Sequence, residues 1–486
     1  MKITSQPQKS LSYRVVLYTA IGTLVLGSCA VINPINHYAS ALLLIIYAMT
    51  SYFYIVLFTT ERNWLDLRAI FSLVWLFTIG LASLRLTEYQ EQWQIRTWIL
   101  LAIAYGMFQI GSLAGEKFGK ALSMWANRRN GTKIGMFLFS FNENRIFWIC
   151  MSVTLIGIAC FGANIAIRGY VPFFSSSPNA YVNFYTKFHV FSIASTMISG
   201  VCYYCIKTQK IPKWKSYVLY LCILYLTFVF PILIVSRGAF ITSALSLTAA
   251  VYYLNNERFW VLVCCIIMMG AVYLLVSTAR NYSDEQLDVF FEPAEILLSS
   301  DTTKISPSFE LPSKVAFLYS YLTVSHDNFN EAVQNIKKYS NGVRQFMPFN
   351  VILRIPEITK ALAEGENYLV RPHLNTVNLI GDAFYDFHEI GVIVSMFIWA
   401  FIFGANQAFY LEGKGPFALM ALGNTLTPVV LCFHTTWMSY FSHWMSWGFA
   451  LILCVVSCVS MYASNRRARI PCCTDIARHK SGIVSD

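Results

Sequence analysis

The sequence predicts an all-α polytopic membrane protein with about twelve transmembrane helices and one long helical extracytoplasmic loop. Of its 486 residues, 56% are hydrophobic and only 13% are charged, against about 25% charged in a soluble protein. So few charged residues do not suffice to cover the surface of a water-soluble globule of this size, which indicates an integral membrane protein. The aromatic share of 16% agrees, because Tyr and Trp concentrate at bilayer interfaces. A disordered chain, a coiled coil and a nucleic-acid-binding domain are excluded.

Twelve apolar segments approach the length of about 20 residues that a membrane helix needs. They are 14–33, 39–59, 69–86, 95–113, 146–165, 188–206, 216–235, 239–254, 259–277, 390–411, 416–436 and 445–463. Segment 239–254 has the weakest pattern, because it is short and rich in Ser, Thr and Ala. It follows 216–235 directly, so the two are predicted to form a tight helical hairpin. The whole chain, 1–486, is predicted to be a single membrane domain.

The basic residues predict that both termini are cytoplasmic. With the N-terminus inside, the inner segments hold 22 Lys and Arg, the short outer loops hold 5, and the long segment 278–389 holds 9, which accounts for all 36. Lys and Arg in short loops stay on the cytoplasmic side. The net charge of +11 is therefore an orientation signal rather than a sign of a nucleic-acid partner.

The outer segment 278–389, between the ninth and tenth spans, is the distinctive part of the chain. It carries 15 of the 25 acidic residues, and loops of this length usually serve a function. Within it the pattern predicts helices at 313–338 and 351–363, and an amphipathic stretch at 373–389 that runs into the next span. We expect a small helical cap on the outer leaflet. His326 and Asp327 are expected to be a pair on the surface of the first helix.

Ionisable residues are missing from the middle of the predicted spans. Pumps, coupled transporters and channels with charged filters usually need such groups at mid-membrane. The charges lie instead in loops and at helix ends, which favours chemistry at the outer face. A polysaccharide exporter or flippase is therefore a disfavoured alternative.

Three short motifs resemble the bacterial O-antigen and capsule polymerases, the Wzy-type oligosaccharide repeat unit polymerases. Ser236-Arg237-Gly238-Ala239 resembles the family's "Arg-Gly-small" turn, and residues 319–333 resemble its aromatic stretch before an Asn-Phe-Asn element. Residues 373–392 resemble the segment that enters a late span, with His388 where the family tends to have Gly. The motifs lie within roughly 235–440, whereas the N-terminal half shares only hydropathy and topology with the family.

The resemblance implies a reaction, its partners and a location, the bacterial cytoplasmic (inner) membrane. Such enzymes transfer a growing glycan from its undecaprenyl diphosphate to the next lipid-linked repeat unit, at the extracytoplasmic face. The partners are then the lipid-linked donor and acceptor and the bilayer, with a chain-length regulator as a possible further partner. No cofactor, no metal and no nucleic acid are expected. An O-antigen or glycan ligase, which uses the same donor and another acceptor, remains open as an alternative.

The reaction implied by the resemblance suggests which side chains serve it. A diphosphate leaving group needs cations, and Arg binds phosphate oxygens in bidentate fashion. The candidates near outer span ends are Arg237, Arg280 and Arg371, although each also fits an interfacial surface charge.

Candidates for the acid–base and sugar-binding roles come from the stretch after Arg371-Pro372. His373 is the candidate general base, because His accepts a proton near neutral pH. Asp382 and Asp386, four residues apart on one helix face, are candidates for orienting that base or holding sugar hydroxyls, and Tyr385 for substrate binding. A solvated loop histidine and a solvated helix face are the alternatives.

Overall fold

A computed structural model describes most of the chain, and all regular elements in the described part are helical. The described residues are 9–58, 63–87, 89–128, 143–175, 184, 186–208, 210–255, 313–353, 355–363, 368–370, 376–413 and 415–452, with four isolated positions between 260 and 270. The all-α prediction is therefore confirmed for this part of the chain.

The N-terminal part of the chain, up to residue 255, contributes ten helices to the described structure. These are α1 (Lys9–Ile32), α2 (His37–Phe58), α3 (Leu67–Ala82), α4 (Ile95–Arg128), α5 (Glu143–Arg168), α6 (Lys187–Ser195), α7 (Ser199–Thr208), α8 (Lys213–Leu224), α9 (Phe230–Leu233) and α10 (Arg237–Leu254). A 3-10 turn joins α6 to α7, and a π-helical turn joins α8 to α9. Each of these two pairs forms one continuous apolar rod.

The C-terminal part adds five further helices and a short helical segment at 441–452. They are α11 (Ser313–Asn335), α12 (Val343–Leu353), α13 (Pro356–Ala363), α14 (Gly381–Gly413) and α15 (Pro416–Val430). The helix predicted at 313–338 is confirmed. The single helix predicted at 351–363 is wrong: two helices meet here, because Pro356 begins a new one and lacks the N–H that would continue the first.

Seven described helices or helix pairs are long and apolar enough to cross a membrane, so this is a multi-pass membrane protein. Two shorter apolar helices, α3 and α15, coincide with two more predicted spans, and α10 coincides with a third. Predicted span 259–277 lies almost wholly, and 445–463 partly, outside the described residues. The total of twelve spans stays a prediction.

Close backbone contact between α4 and α14 organises the core. A Cβ added to Gly115 would lie 2.0 Å from the carbonyl oxygen of Phe401, and one added to Gly404 would lie 2.2 Å from that of Ser112. Only glycine permits the two backbones to approach this closely. Helices in lipid have no hydrophobic driving force for association, and small residues let them pack tightly instead. The helix α4 is longer than the predicted span 95–113, because its second half continues in this contact.

Polar contacts at the helix ends fall into two sets, one on each side of the bundle. On one side, Arg68 bonds to Asp66 at 2.9 Å and to Glu116 at 2.7 Å. On the other, Arg96 pairs with Glu389. The distribution of Lys and Arg predicts that Asp66, Arg68 and Glu116 share one side of the membrane and that Arg96 and Glu389 share the other. Both sets of contacts agree with this prediction. We call the side of Arg96 and Glu389 the outer face.

Helix α11 packs into the bundle through its polar side. The ring of His326 lies 3.0 Å from the hydroxyl of Thr78 on α3, and Asp327 accepts hydrogen bonds from Gln90 at 3.0 Å and from Trp93 at 2.8 Å. Both residues are buried, so the expected surface pair is wrong. Burial lowers the pKa of His326 to about 3 and raises the pKa of Asp327 to about 7, because both charged forms lose hydration.

Candidate active site

One loop, residues 431–440, connects the elements that carry the predicted site residues. It follows α15 and contains a short 3-10 turn at Trp437–Ser439. The carbonyl of Cys432 accepts from the N–H of Leu379 at 2.8 Å, and the Thr436 hydroxyl donates to the Asn378 carbonyl at 3.0 Å. These bonds fix the loop beside the start of α14. The loop therefore packs against the N-terminal ends of both α10 and α14.

The turn before α10 places Arg237 at this loop. Val235 has φ +52°, a left-handed conformation that is an outlier for a β-branched residue. Ser236 then caps the helix, its hydroxyl accepting from the N–H of Ala239 at 3.2 Å. A Cβ on Gly238 would lie 3.2 Å from the Trp437 ring, so glycine allows α10 to approach the loop. The "Arg-Gly-small" motif is thus a tight turn packed against the loop.

The Arg237 side chain is only 6% exposed. Its guanidinium lies 5.7 Å from the ring centre of Tyr321 on α11, within the range of a cation–π contact. The Tyr321 ring in turn lies 4.2 Å from that of His434. Because Arg237 opens a helix, the dipole of α10 adds to its positive potential. This position suits an anion at the outer face.

A second guanidinium, that of Arg344, belongs to α12, which packs against the 3-10 turn of the same loop. It stacks 3.8 Å from the ring centre of Tyr385, and its Nη1 lies 3.8 Å from a carboxylate oxygen of Asp382. The Ser439 hydroxyl donates to the other oxygen of Asp382 at 2.5 Å. The distance between Arg344 and Asp382 is longer than a hydrogen bond. Asp382 is therefore held mainly by Ser439 of the loop.

Asp386 anchors α12, the helix that carries Arg344. Its carboxylate is buried and accepts from the Ser340 hydroxyl at 2.6 Å and from the N–H groups of Arg344 at 3.1 Å and Gln345 at 2.8 Å. These N–H groups belong to the first turn of α12, where the helix has no internal acceptor for them. Asp386 thus caps one helix from another and sets the position of Arg344.

A kink in α14 brings the Asp382–Asp386 turn onto α12. Phe387 and His388 leave helical geometry, and His388 has φ +44° and ψ −134°, a region that favours glycine. Gly is the residue that the resemblance to the polymerases led us to expect here. The His388 ring stacks on Tyr339 at 4.1 Å. After the kink, a Cβ on Gly391 would lie 2.0 Å from the Ala383 carbonyl oxygen, so the two arms of the helix touch.

The predicted site residues divide into two groups. Arg237, Asp382, Tyr385 and Asp386 lie at or beside the 431–440 loop, although they come from two distant parts of the sequence. Arg280, Arg371 and His373 lie outside the described residues, so their roles remain predictions.

The described residues also include site members that the sequence analysis missed. These are Arg344, Tyr321, Trp437 and Ser439. Tyr321 stood in a motif that resembles the polymerases, whereas Arg344, Trp437 and Ser439 carried no motif. Among the described residues, no cluster of three or more His, Cys, Asp or Glu side chains has the arrangement of a metal site.

A family model described as "Putative O-antigen polymerase" matches residues 37–306, more than half of the chain. The chain belongs to the O-antigen polymerase family. No curated protein and no solved structure matches it. The family match contains Arg237 and its turn but ends before 319–333 and 373–392. The view that the N-terminal half shares only hydropathy and topology with the polymerases is therefore wrong, because most of the match lies there.

Proposed function

We propose that this member of the O-antigen polymerase family polymerises undecaprenyl-diphosphate-linked oligosaccharide repeat units into O-antigen, capsule or exopolysaccharide. The reaction is glycosyl transfer at the outer face of a cytoplasmic membrane. A hydroxyl oxygen of the acceptor sugar forms a bond to the anomeric carbon of the donor, and the bond from that carbon to the diphosphate oxygen breaks. The hydroxyl proton passes to a base, and undecaprenyl diphosphate leaves. The glycosyl diphosphate supplies the free energy, without a metal.

The observation that carries the proposal is the placement of Arg237 and Arg344 on two helices, α10 and α12, that both pack against the 431–440 loop. Trp437 packs against the helix turn of Arg237, and Ser439 holds Asp382 beside Arg344. Two cations at one loop suit a leaving group with two phosphates, because each guanidinium can bind two oxygens in one plane. Positive groups that are already in position stabilise developing negative charge without reorganisation. Arg280 and Arg371 are proposed as further cations of this site.

The polar groups beside Arg344 suit the sugar. Asp382 is held by Ser439, so one of its oxygens is fixed and the other faces the Arg344 guanidinium 3.8 Å away. Tyr385 offers a ring face on which Arg344 already stacks. We assign Asp382 and Tyr385 to substrate binding. Asp386 acts through α12 as a positioning residue, because its carboxylate oxygens already accept three hydrogen bonds.

The proton acceptor proposed for the acceptor hydroxyl is neutral His373, oriented by Asp382 because the oxygens of Asp386 already hold α12. A positioned base contributes about 10²–10⁴-fold to the rate, so His373→Ala is expected to slow transfer by about that factor. His373→Gln separates base catalysis from hydrogen bonding, because glutamine accepts hydrogen bonds without taking up a proton. Transfer by His373→Gln near the normal rate would eliminate the base role.

The arginines provide the decisive test in a strain that lacks the gene. Arg237→Ala and Arg344→Ala are each expected to raise the barrier by about 2.7–4 kcal/mol, as for the loss of one oxyanion donor. The glycans on the cell surface should shorten to single repeat units. Arg237→Lys and Arg344→Lys should also yield little long polymer, because the ammonium group of lysine does not bind two phosphate oxygens in one plane as a guanidinium does. Arg96→Ala is the matched control: Arg96 is a half-exposed outer-face arginine paired with Glu389.

The outcomes separate the proposal from its alternatives. Long polymer of normal abundance from both Arg237→Ala and Arg344→Ala, at normal protein levels, would refute the shared cationic site. In the deletion strain, lipid capped with single repeats indicates a polymerase. Finished polymer stranded on the carrier lipid would indicate a ligase instead, and repeat units retained on the cytoplasmic side would indicate an exporter.

A further inference from the structure

The helix α11 contains an Asn-Phe-Asn element, residues 328–330, whose role the candidate active site does not account for. Both asparagines are buried, with Asn328 at 0% and Asn330 at 2% exposure. A buried side-chain amide that lacks hydrogen-bond partners costs free energy, so native proteins pair nearly all such groups. The partners of the two asparagines therefore show which parts of the chain each one holds.

Asn328 holds the backbone of another segment at two points. Its side-chain oxygen accepts from the N–H of Val370 at 2.9 Å, and its side-chain nitrogen donates to the carbonyl of Thr376 at 2.7 Å. Asparagine suits this task because its amide has an acceptor on one side and a donor on the other. One buried side chain thus anchors both ends of the stretch 371–375.

The two anchor points are connected to the candidate active site. Just before the first, the N–H of Tyr368 donates to the hydroxyl of Tyr385 at 3.0 Å. Just after the second, the carbonyl of Asn378 accepts from the hydroxyl of Thr436 in the 431–440 loop at 3.0 Å. Both flanks of the stretch are therefore fixed against residues of the site.

We infer that Asn328 is a positioning residue for His373, which belongs to the stretch 371–375. The inference rests on the proposed function, which assigns proton transfer to His373. A general base acts only within hydrogen-bond reach of the proton that it removes, and a misplacement of about 1 Å can cost about 10²-fold in rate. By holding the backbone on both sides of the base, Asn328 limits such a misplacement without contacting the substrate.

Asn330 provides a matched control on the same helix. Its side-chain oxygen accepts from the N–H of Gln94 at 3.1 Å and from the hydroxyl of Thr97 at 2.8 Å, both at the N-terminal end of α4. Replacement of Asn328 or of Asn330 by alanine therefore removes two hydrogen bonds from an equally buried position. Only the change at Asn328 releases the two anchor points.

Hydrogen exchange in the full-length protein tests the anchor itself. Loss of two net hydrogen bonds in Asn328→Ala should raise the exchange rate of the Val370 amide by about tenfold, equivalent to about 1.4 kcal/mol. Asn330→Ala should leave that rate unchanged and instead raise the rate at Gln94. Mass spectrometry of overlapping peptides from the purified protein in detergent measures both amides. An unchanged rate at Val370 in Asn328→Ala would overturn the inference.

A double-mutant cycle tests whether Asn328 acts through His373. Transfer is measured with equal amounts of purified variants in nanodiscs, with lipid-linked repeat units from the deletion strain as donor and acceptor. Asn328→Ala alone should slow transfer by about tenfold or more. In a His373→Ala background the same change should have little further effect, because no base remains to be positioned. Asn330→Ala should change the rate by the same factor in both backgrounds, and the same behaviour of Asn328→Ala would refute the inference.

A second pair of variants keeps the test decisive if the alanine variants fold poorly. Asn328→Asp keeps an acceptor for Val370 but has no donor for the carbonyl of Thr376, so one anchor is lost and transfer should slow. Asn330→Asp keeps an acceptor oxygen for both of its donors and places the same charge on the same helix, so transfer should stay near normal. Similar rates for the two aspartate variants would contradict the inference.

A failure of the inference is distinguishable from a failure of the proposed function. Faster exchange at Val370 in Asn328→Ala, combined with normal transfer by His373→Ala, would retain the anchor and remove the base. Slow transfer by His373→Ala, combined with unchanged exchange at Val370 in Asn328→Ala, would retain the base and remove Asn328 as its positioning residue.

Discussion

Replacement of Gly391 by alanine tests whether the kink of α14 builds the site. The added Cβ would lie 2.0 Å from the Ala383 carbonyl oxygen and 3.0 Å from the Phe387 side chain, whereas ordinary contacts begin at 3.4 Å. The obstacle is backbone rather than a flexible side chain, so the two arms of the helix must separate by more than an ångström. Overpacking of this kind costs about 1–3 kcal/mol.

The separation also loosens the turn that joins α14 to α12. The N–H of Ser340 donates to the Tyr385 carbonyl at 2.9 Å, and that of Asn341 donates to the Asp386 carbonyl at 3.1 Å. Each net hydrogen bond contributes about 0.5–1.5 kcal/mol. We therefore expect Gly391→Ala to lose about 3 kcal/mol or more in total, and to shorten the polymer by displacing Arg344.

Stability is measured on purified protein in detergent, with a thiol-reactive dye that reports thermal exposure of buried cysteines such as Cys432. The control is Gly162→Ala in α5, where an added Cβ meets no atom within 4 Å. This change should be neutral or stabilising by up to about 1 kcal/mol, because alanine restricts the unfolded chain and favours helix. Equal unfolding temperatures for Gly391→Ala and Gly162→Ala would refute the reasoning.

Three further changes test other parts of the structure. A cysteine introduced at Ser299 should react with a membrane-impermeant reagent from outside and one at Ser481 should not; the reverse pattern would contradict the predicted orientation. Val235 is only 4% exposed, so Val235→Gly should destabilise the protein by about 1 kcal/mol: the lost burial and the backbone entropy of glycine, together about 2–4 kcal/mol, exceed the relief of the positive φ, about 1–3 kcal/mol, and a higher unfolding temperature would contradict this. The pKa of Asp327 is about 7 in the folded protein and 3.8 in the unfolded chain. Between these two pH values the folded protein holds a proton on Asp327 that the unfolded chain has released. The contribution of this residue to folding stability is therefore complete in acid and is lost as the pH rises to 7. Relative to Asp327→Asn, the unfolding temperature of the unmodified protein should fall from about pH 4 to about pH 7, and a parallel pH dependence would disprove the shift.

The amino-acid sequence by itself determined the class of the protein and the ends of most helices. Apolar segments of membrane length are set by local composition, because each span satisfies its own backbone hydrogen bonds. The turn at Ser236-Arg237-Gly238-Ala239 was also predictable, since helix capping is local. The same holds for α11, whose apolar and polar parts follow each other in the sequence.

Only the tertiary structure decided which of these residues meet. Arg344 carries no sequence signal, and it becomes a candidate site residue because Asp386, on α14, caps the helix that carries it. The polar pair His326 and Asp327 was expected on a surface, yet α3 and α4 bury it, since solvent exposure depends on distant partners. The kink at His388 is likewise a property of two touching helix arms. Local sequence fixes helices through short-range hydrogen bonds, whereas the site depends on packing between residues separated by tens to hundreds of positions.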